Sequence, residues 1–233
     1  MAKRYLVVWL EGPLQSYGRE DCIYARKTQR FPRRAALWGM VFSAAGWYDA
    51  QRERLAELLD CSLTVYGYTP DRPMLTDYQI VGGNWDITDP WQERMVPHRF
   101  DGKAIVGSAT RPRTKQYLQE SVFAAILEFP QHWESDLSKA CASPRDMISL
   151  GRKACIPTVP VLQGIANDFD SALELLEHVE ETRNECFETP VYRLRVFEET
   201  TDREHARWCL NDVPLSFRPT PKYGWRYVNV RQL

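Results

Sequence analysis

The sequence predicts an α+β fold, a ferredoxin-like sandwich with a projecting basic hairpin and a small β-rich extension at its C-terminal end. Three observations predict it. Two strand–helix–strand runs follow one another along the chain. The first strand segment, residues 5–10, is apolar on both faces, as a strand buried between two layers must be. A turn-rich, basic stretch, residues 76–117, interrupts the order. With 233 residues the chain can bury one good core or two small ones, and we read residues 1–233 as one domain, with an insertion at about 76–117 and the extension at about 185–233.

The elements follow in order. Residues 5–10 form a strand that stops at Glu11-Gly12-Pro13, a tight turn. Residues 35–48 are small and apolar and read as a helix; 51–59 continues it, with Leu55, Leu58 and Leu59 at helical spacing. Leu63, Val65, Tyr66 and Tyr68 suggest a strand closed by Thr69-Pro70-Asp71. Between 76 and 117, Gly82-Gly83-Asn84, Pro90, Pro97, Asp101-Gly102 and Pro112 predict turns, and Asp101-Gly102 is a two-residue hairpin signal. Residues 121–129 are the clearest late strand, ended by Pro130. A helix over 132–142 follows, stopped before Ser143-Pro144. A further helix over 170–181 takes Asp168 or Asp170 as its cap. Residues 191–197 and 223–230 alternate well enough to be strands.

Composition limits the function. Hydrophobic residues make up 44% and charged ones 26%, ordinary for a globular protein, and the formal net charge of −1 carries no global nucleic-acid signature. The distribution says more. Residues 94–115 hold Arg94, Arg99, Lys103, Arg111, Arg113 and Lys115 against Asp101 alone, whereas residues 168–204 hold twelve acids against four arginines. Such segregation suits one surface to a polyanion and another to a different partner or to solvent. The six cysteines show no C-x-x-C spacing, so they read as free, mostly buried thiols in a reducing cytoplasm. The N-terminal apolar run is too short for a signal peptide, and no segment approaches a membrane span. Eight Trp and eleven Tyr exceed the needs of such a core, so some are expected at an interface or on bases.

The most informative stretch lies between the first strand and the first helix. Gln15, Ser16, Tyr17 and Gly18 stand beyond the Gly-Pro turn, and 26–34 holds five basic residues in nine with no acid. Arginine and lysine neutralise phosphates and an aromatic ring can stack on a base, so this is a candidate RNA or DNA contact. A charged loop ahead of a helix occurs in many αβ proteins and explains the pattern equally. One detail favours an anion: Arg33 and Arg34 at a helix start oppose the macrodipole unless a negative group faces them, and a phosphate would serve.

Five blocks in order carry a family resemblance: Gly12-Pro13-Leu14-Gln15-Ser16-Tyr17-Gly18, Phe31-Pro32-Arg33-Arg34-Ala35-Ala36-Leu37-Trp38-Gly39, Thr76-Asp77-Tyr78 through Gly82-Gly83, Thr114-Lys115-Gln116-Tyr117-Leu118, and Ser149-Leu150-Gly151-Arg152-Lys153-Ala154-Cys155. Together, over about residues 4–165, they resemble the CasD family, the RAMP-type subunit of the type I-E CRISPR Cascade. The resemblance implies a non-catalytic, cofactor-free protein of antiviral defence in the cytoplasm. It implies a ferredoxin-like (RRM-like) fold that binds the 5′ handle of the crRNA. A protruding thumb, here 76–117, would contact the guide and the neighbouring Cascade backbone subunit. The large PAM-reading subunit would dock nearby, and target DNA would be met mainly through the complex. Carried over, the resemblance assigns Gln15, Ser16 and Tyr17 to the loop lining the handle, and Arg30, Arg33 and Arg34 to its phosphates. His98, Arg99, Arg111 and Lys115 fall to the thumb side, and Arg152 and Lys153 to a second handle-side loop.

The rival reading is a metal-independent endoribonuclease that processes CRISPR repeat RNA. It needs a base for the 2′-hydroxyl, an acid for the leaving oxygen and a cation for the phosphorane. His98, Lys115 and Tyr17 or Tyr24 are the residue types that could supply them; a loop histidine that bonds backbone or RNA is the plainer account of His98. No metal site is assigned: Asp168, Asp170, Glu174 and Glu177 fit a capped, solvated helix. Trp38 and Trp47 are expected in the core or against another subunit.

Overall fold

In the computed structural model the described residues are 2–18, 25–48, 51–81, 88–93, 98, 100–103 and 111–233. In chain order the elements are β1 (Lys3–Glu11), α1 (Arg34–Ala45), α2 (Gln51–Glu57), β2 (Leu63–Gly67), β3 (Leu75–Val81), β4 (Arg111–Gln119), β5 (Val122–Pro130), α3 (Glu134–Ala142), β6 (Leu162–Ala166), α4 (Phe169–Cys186), β7 (Arg195–Thr200), β8 (Trp208–Ser216) and β9 (Lys222–Gln232). Two-residue strands at Leu14–Gln15, Tyr17–Gly18, Ala25–Arg26 and Thr28–Gln29 lie between β1 and α1.

Seven strands form one sheet in the order β6-β1-β5-β2-β7-β9-β8, and each neighbouring pair is antiparallel. The double-sided apolarity of β1 has a direct cause. Leu6, Val8 and Leu10 enter the core beneath α1–α3, while Val7 and Trp9 enter a second core with Ala172 and Leu176 of α4. The chain is therefore a mixed α/β fold with helices on both faces of an antiparallel sheet.

α1 packs by aromatic edges. Trp38, Phe42, Trp47 and Trp133 form a chain of T-shaped contacts, with Trp47 and Trp133 centroids 5.0 Å apart. Both tryptophans of this segment are thus core residues. The helix ends where Gly46 takes φ +69°, turning its N–H and that of Trp47 back onto Ser43 and Phe42. α4 begins at Asp168, whose side chain accepts from the Ser171 N–H at 2.8 Å. That cap also accounts for the acidic start of the helix.

The sequence reading missed β6 and β8 outright and the bounds of β3 and β4, each for a local reason. β3 and β4 lie at the ends of the stretch read as a projecting hairpin, and pair antiparallel from Leu75↔Tyr117 to Val81↔Arg111. Leu75, Tyr78 and Ile80 of β3 are exposed while the neighbours Tyr117 and Leu118 of β4 are both buried, so no alternation marked either strand. β6 is five residues long and carries Gly164. β8 is an edge strand whose register shifts at Asn211/Val213 and Pro214/Ser216, which scrambles its period of two. The strand expected at 191–197 begins later, at Arg195; Val191 is instead held at both backbone groups by the Asn184 amide. The cysteine expectation needs correcting too: Cys61 and Cys155 are buried, but Cys186 and Cys209 are exposed, and Cys22 lies outside the described residues.

Candidate nucleic-acid interface

Two of the motif blocks fold into one unit. The Ser16 N–H donates to the Leu150 carbonyl at 3.0 Å, and Leu150 and Cys155 close a turn through the bond from Leu150 N–H to Cys155 O, 2.7 Å. Gly151 has φ +91° and lies so close that any Cβ would overlap the Ser16 carbonyl oxygen. A Cβ on Gly12 would come within 2.7 Å of the Ile156 carbonyl. Both positions therefore demand glycine, one for conformation and contact and one for contact alone.

That seam corrects the expectation for Gln15, Ser16 and Tyr17. Tyr17 is 0% exposed and its hydroxyl donates to Gln15 Oε1 at 2.6 Å. Gln15 Nε2 donates to the carbonyls of Leu10 and Ser121, and Ser16 Oγ to that of Gln116 at 3.0 Å. All three side chains knit the loop to β4 and β5. With its ring fully buried and its hydroxyl proton engaged by Gln15, Tyr17 can neither stack on a base nor reach a leaving group in this arrangement, and burial pushes its phenol well above its ordinary pKa. A polar side chain is hidden where it satisfies backbone groups that would otherwise be buried unpaired.

A second correction concerns the helix start. The anion facing the α1 N-terminus is a carboxylate of the chain itself. Asp212, on β8 and 0% exposed, accepts from the Arg34 N–H at 2.9 Å. The Arg34 side chain, 3% exposed, grips both oxygens of Glu199 at 2.7 and 2.9 Å and donates to the Leu58 and Cys61 carbonyls. Arg226 forks onto Asp212 at 2.6 and 2.9 Å and reaches Glu199 at 2.9 Å. Arg33 bonds the Gly18 and Asn211 carbonyls, with its Nε 3.8 Å from Asp212. Burial raises the Asp212 pKa, but the Arg226 bonds and the Arg34 N–H more than offset it, and the carboxyl stays below its usual range. Arg33 and Arg34 thus lock the C-terminal hairpin of β8 and β9 onto α1.

The remaining cations lie around the seam. Ala25–Arg26 pairs with β4 in parallel, Arg26 opposite Lys115. Lys115 Nζ donates to Gln79 Oε1 at 2.7 Å. Arg152 donates to the Arg26 carbonyl at 2.9 Å and lies over the Tyr117 ring, 5.0 Å from its centroid. Arg30 and Lys153 are exposed, as is His98. Arg99 and the side chain of Arg111 lie outside the described residues. So the structure brings Arg26, Lys115 and Arg152 together and sets Arg30 nearby. It does not bring His98 into contact with Lys115 or Tyr17 among the described residues.

Beside these cations opens a cleft of about 510 Å³, between residues 27–33, β4 and the β8–β9 hairpin. Lys27, Arg30 and Arg33 line it with Met74, Gln116, Trp208 and Trp225, and among the described residues no acidic side chain does. Trp208 and Trp225 were missed by sequence reasoning, which noted surplus tryptophan without placing it. The signal available was the odd spacing Tyr223-Trp225-Tyr227, three rings on one face of a strand.

Comparison with known proteins converges on one family. The family described as CRISPR-associated protein (Cas_Cas5) matches residues 5–229. The chain is 27% identical, over 93% of its own length and 91% of the relative's, to the CRISPR system Cascade subunit CasD of Escherichia coli strain K12. Its fold is similar to a chain of a CRISPR RNA-guided surveillance complex, with a TM-score of 0.71 at 22% identity over 98% of this chain and 89% of that one. It is also similar to a structure titled Crystal structure of Cas protein, at a TM-score of 0.57 and 20% identity over 98% and 94% of the two chains.

Proposed function

The chain belongs to the CRISPR-associated protein (Cas_Cas5) family, and from that premise we propose that it is a non-catalytic subunit of a type I-E CRISPR RNA-guided surveillance complex, one that binds and caps the 5′ handle of the crRNA. The observation that carries the reading is the convergence of Arg26, Lys115 and Arg152 at the seam of the two motif loops, beside a cleft lined by Lys27, Arg30 and Arg33. A single strand of RNA needs such a file of cations to follow its phosphates and open aromatic surface for its bases. The order β6-β1-β5-β2, with helices after β1 and β5, supports a ferredoxin-like body. The β3–β4 pairing supports a thumb over 76–117, which would meet a neighbouring backbone subunit, while the large subunit and target DNA are engaged through the assembled complex. No helix of the described residues is long and apolar enough to cross a membrane.

The test is reconstitution with partner subunits and crRNA that carries or lacks the repeat-derived 5′ segment. Retention is expected to depend on that segment, with the RNA intact over hours without added metal. Equal retention of handle-less RNA would refute the capping role. Site-specific cut products that disappear in His98→Ala or Lys115→Ala would transfer the assignment to a repeat endoribonuclease.

A further inference from the structure

We infer that the cleft beneath the C-terminal hairpin is a subsite for a single unpaired nucleotide, its base stacked on Trp225 and its phosphate held by Arg30 and Lys27. The inference rests on the reading that this face takes RNA, and deepens it by assigning one nucleotide to one tryptophan. Trp225 is 61% exposed on β9, whereas Trp208, which also lines the cleft, is packed on Phe31 and Phe197 and carries the Arg207 guanidinium over its ring. So the two tryptophans differ in kind. Trp208 is a wall, fixed by its neighbours, and Trp225 offers an open face.

The strand explains why. Residues of β9 alternate, so Arg226 and Val228 point into the sheet while Tyr223, Trp225 and Tyr227 share the outer face. Trp225 is paired with Asn211 in the antiparallel β8–β9 ladder, which holds the hairpin at the level of the ring. Tyr223 and Trp225 are both exposed on that face, so the ring belongs to an aromatic patch and does not stand alone. Charge selects the occupant. Among the described residues the lining carries three basic side chains and no acid, which suits an anion rather than a basic or neutral peptide. The volume of about 510 Å³ falls in the range for a small ligand, on the order of 300–1,000 Å³. A flat ring beside cations is the arrangement in which single-stranded nucleic acid binds with little base preference, and Gln29 and Gln116 on the wall give it polar groups for a base edge.

The experiment uses the full chain and the repeat-derived 5′ RNA segment, intact and with each base removed in turn. Trp225→Ala should weaken binding about 5- to 150-fold, the equivalent of one stacked base, and Trp225→Phe should restore most of it. One abasic position should cost wild type that same factor and cost Trp225→Ala nothing further. RNA should also shield Cys209, which lines the cleft, from alkylation. If Trp225→Ala binds as wild type does, while Arg30→Ala still flattens the salt dependence, the cleft holds phosphate only; the base subsite is overturned and the capping role stands. If the intact RNA binds no better than an unrelated strand, the capping role itself fails. Because Trp225 is largely exposed, the variant is expected to melt close to wild type; unfolding would instead make the ring structural and overturn the proposal.

Discussion

Single side chains decide which basic residues of the 26–34 stretch can meet RNA. Arg34 and Arg33 look alike in sequence to Arg30, yet Arg34 is sealed against Glu199 and Asp212 caps its helix. Removing one partner of a buried charge network leaves the others uncompensated, so Asp212→Asn or Arg34→Ala should cost about 3–5 kcal/mol in urea unfolding. Neither should alter the salt dependence of RNA binding by the folded fraction. Arg30→Ala should do the opposite: unchanged stability and a salt slope shallower by about 0.7, the value per phosphate contact on a single strand. The pH dependence follows from the lowered Asp212 pKa. A carboxyl held below its unfolded value, about 3.9, contributes stability that is complete above that value and is lost as pH falls through the folded one. Unfolding followed from pH 7 to pH 3 should therefore steepen in acid for wild type and less so for Asp212→Asn. Glu128, lowered by the Ser62 N–H and Lys3 against the opposing effect of burial, adds to the slope common to both proteins. Gly151→Ala should destabilise by about 1–3 kcal/mol or more, since it adds a strained φ and an overlap with the Ser16 carbonyl. A melting temperature equal to wild type would mean that the two loops can part without cost.

At the scale of elements, the insertion should be separable from the body. The turn at Asp101-Gly102, where Asp101 accepts from the Lys103 N–H at 3.1 Å and Gly102 takes φ +80°, is exposed. Deleting that tip should leave the melting temperature close to wild type but impair assembly with a neighbouring subunit and target-DNA opening. Unfolding of the shortened chain would place the segment in the core, and normal assembly would remove the thumb reading. Elements were legible where burial set the pattern. β1, α1, β2, β5 and α3 all bury an apolar face, so periodicity marked them to within a few residues. β8 was illegible because its edge position and register shifts erase the period of two, and β3 and β4 were read only as a hairpin without bounds because exposed apolar residues break their alternation. The candidate interface was half legible for a related reason. The sequence shows which segments are basic, but whether a given arginine faces solvent or an acid some 180 residues away, as Arg34 faces Asp212, is fixed by tertiary contact.

For the whole molecule, the segregation of charge along the chain resolves into two uses. Part of the acidic stretch neutralises arginines within the fold: Glu199 on the hairpin side, joined there by Asp212 from beyond the stretch, and Glu180 with Arg193 beside α4. Arg26, Arg30, Lys115 and Arg152 lie on the face of the seam and the cleft. The central claim is that the 5′ end of a guide RNA lies along that face. Photocrosslinking within the assembled complex tests it most directly, with a photoreactive base placed at each position of the crRNA in turn and crosslinked peptides identified by mass. Handle positions are expected to link to peptides containing residues 25–33, 150–155 and 223–227, and spacer positions beyond the first few are expected to give none on this chain. Handle crosslinks confined to other subunits, or links on this chain spread evenly along the spacer, would contradict it.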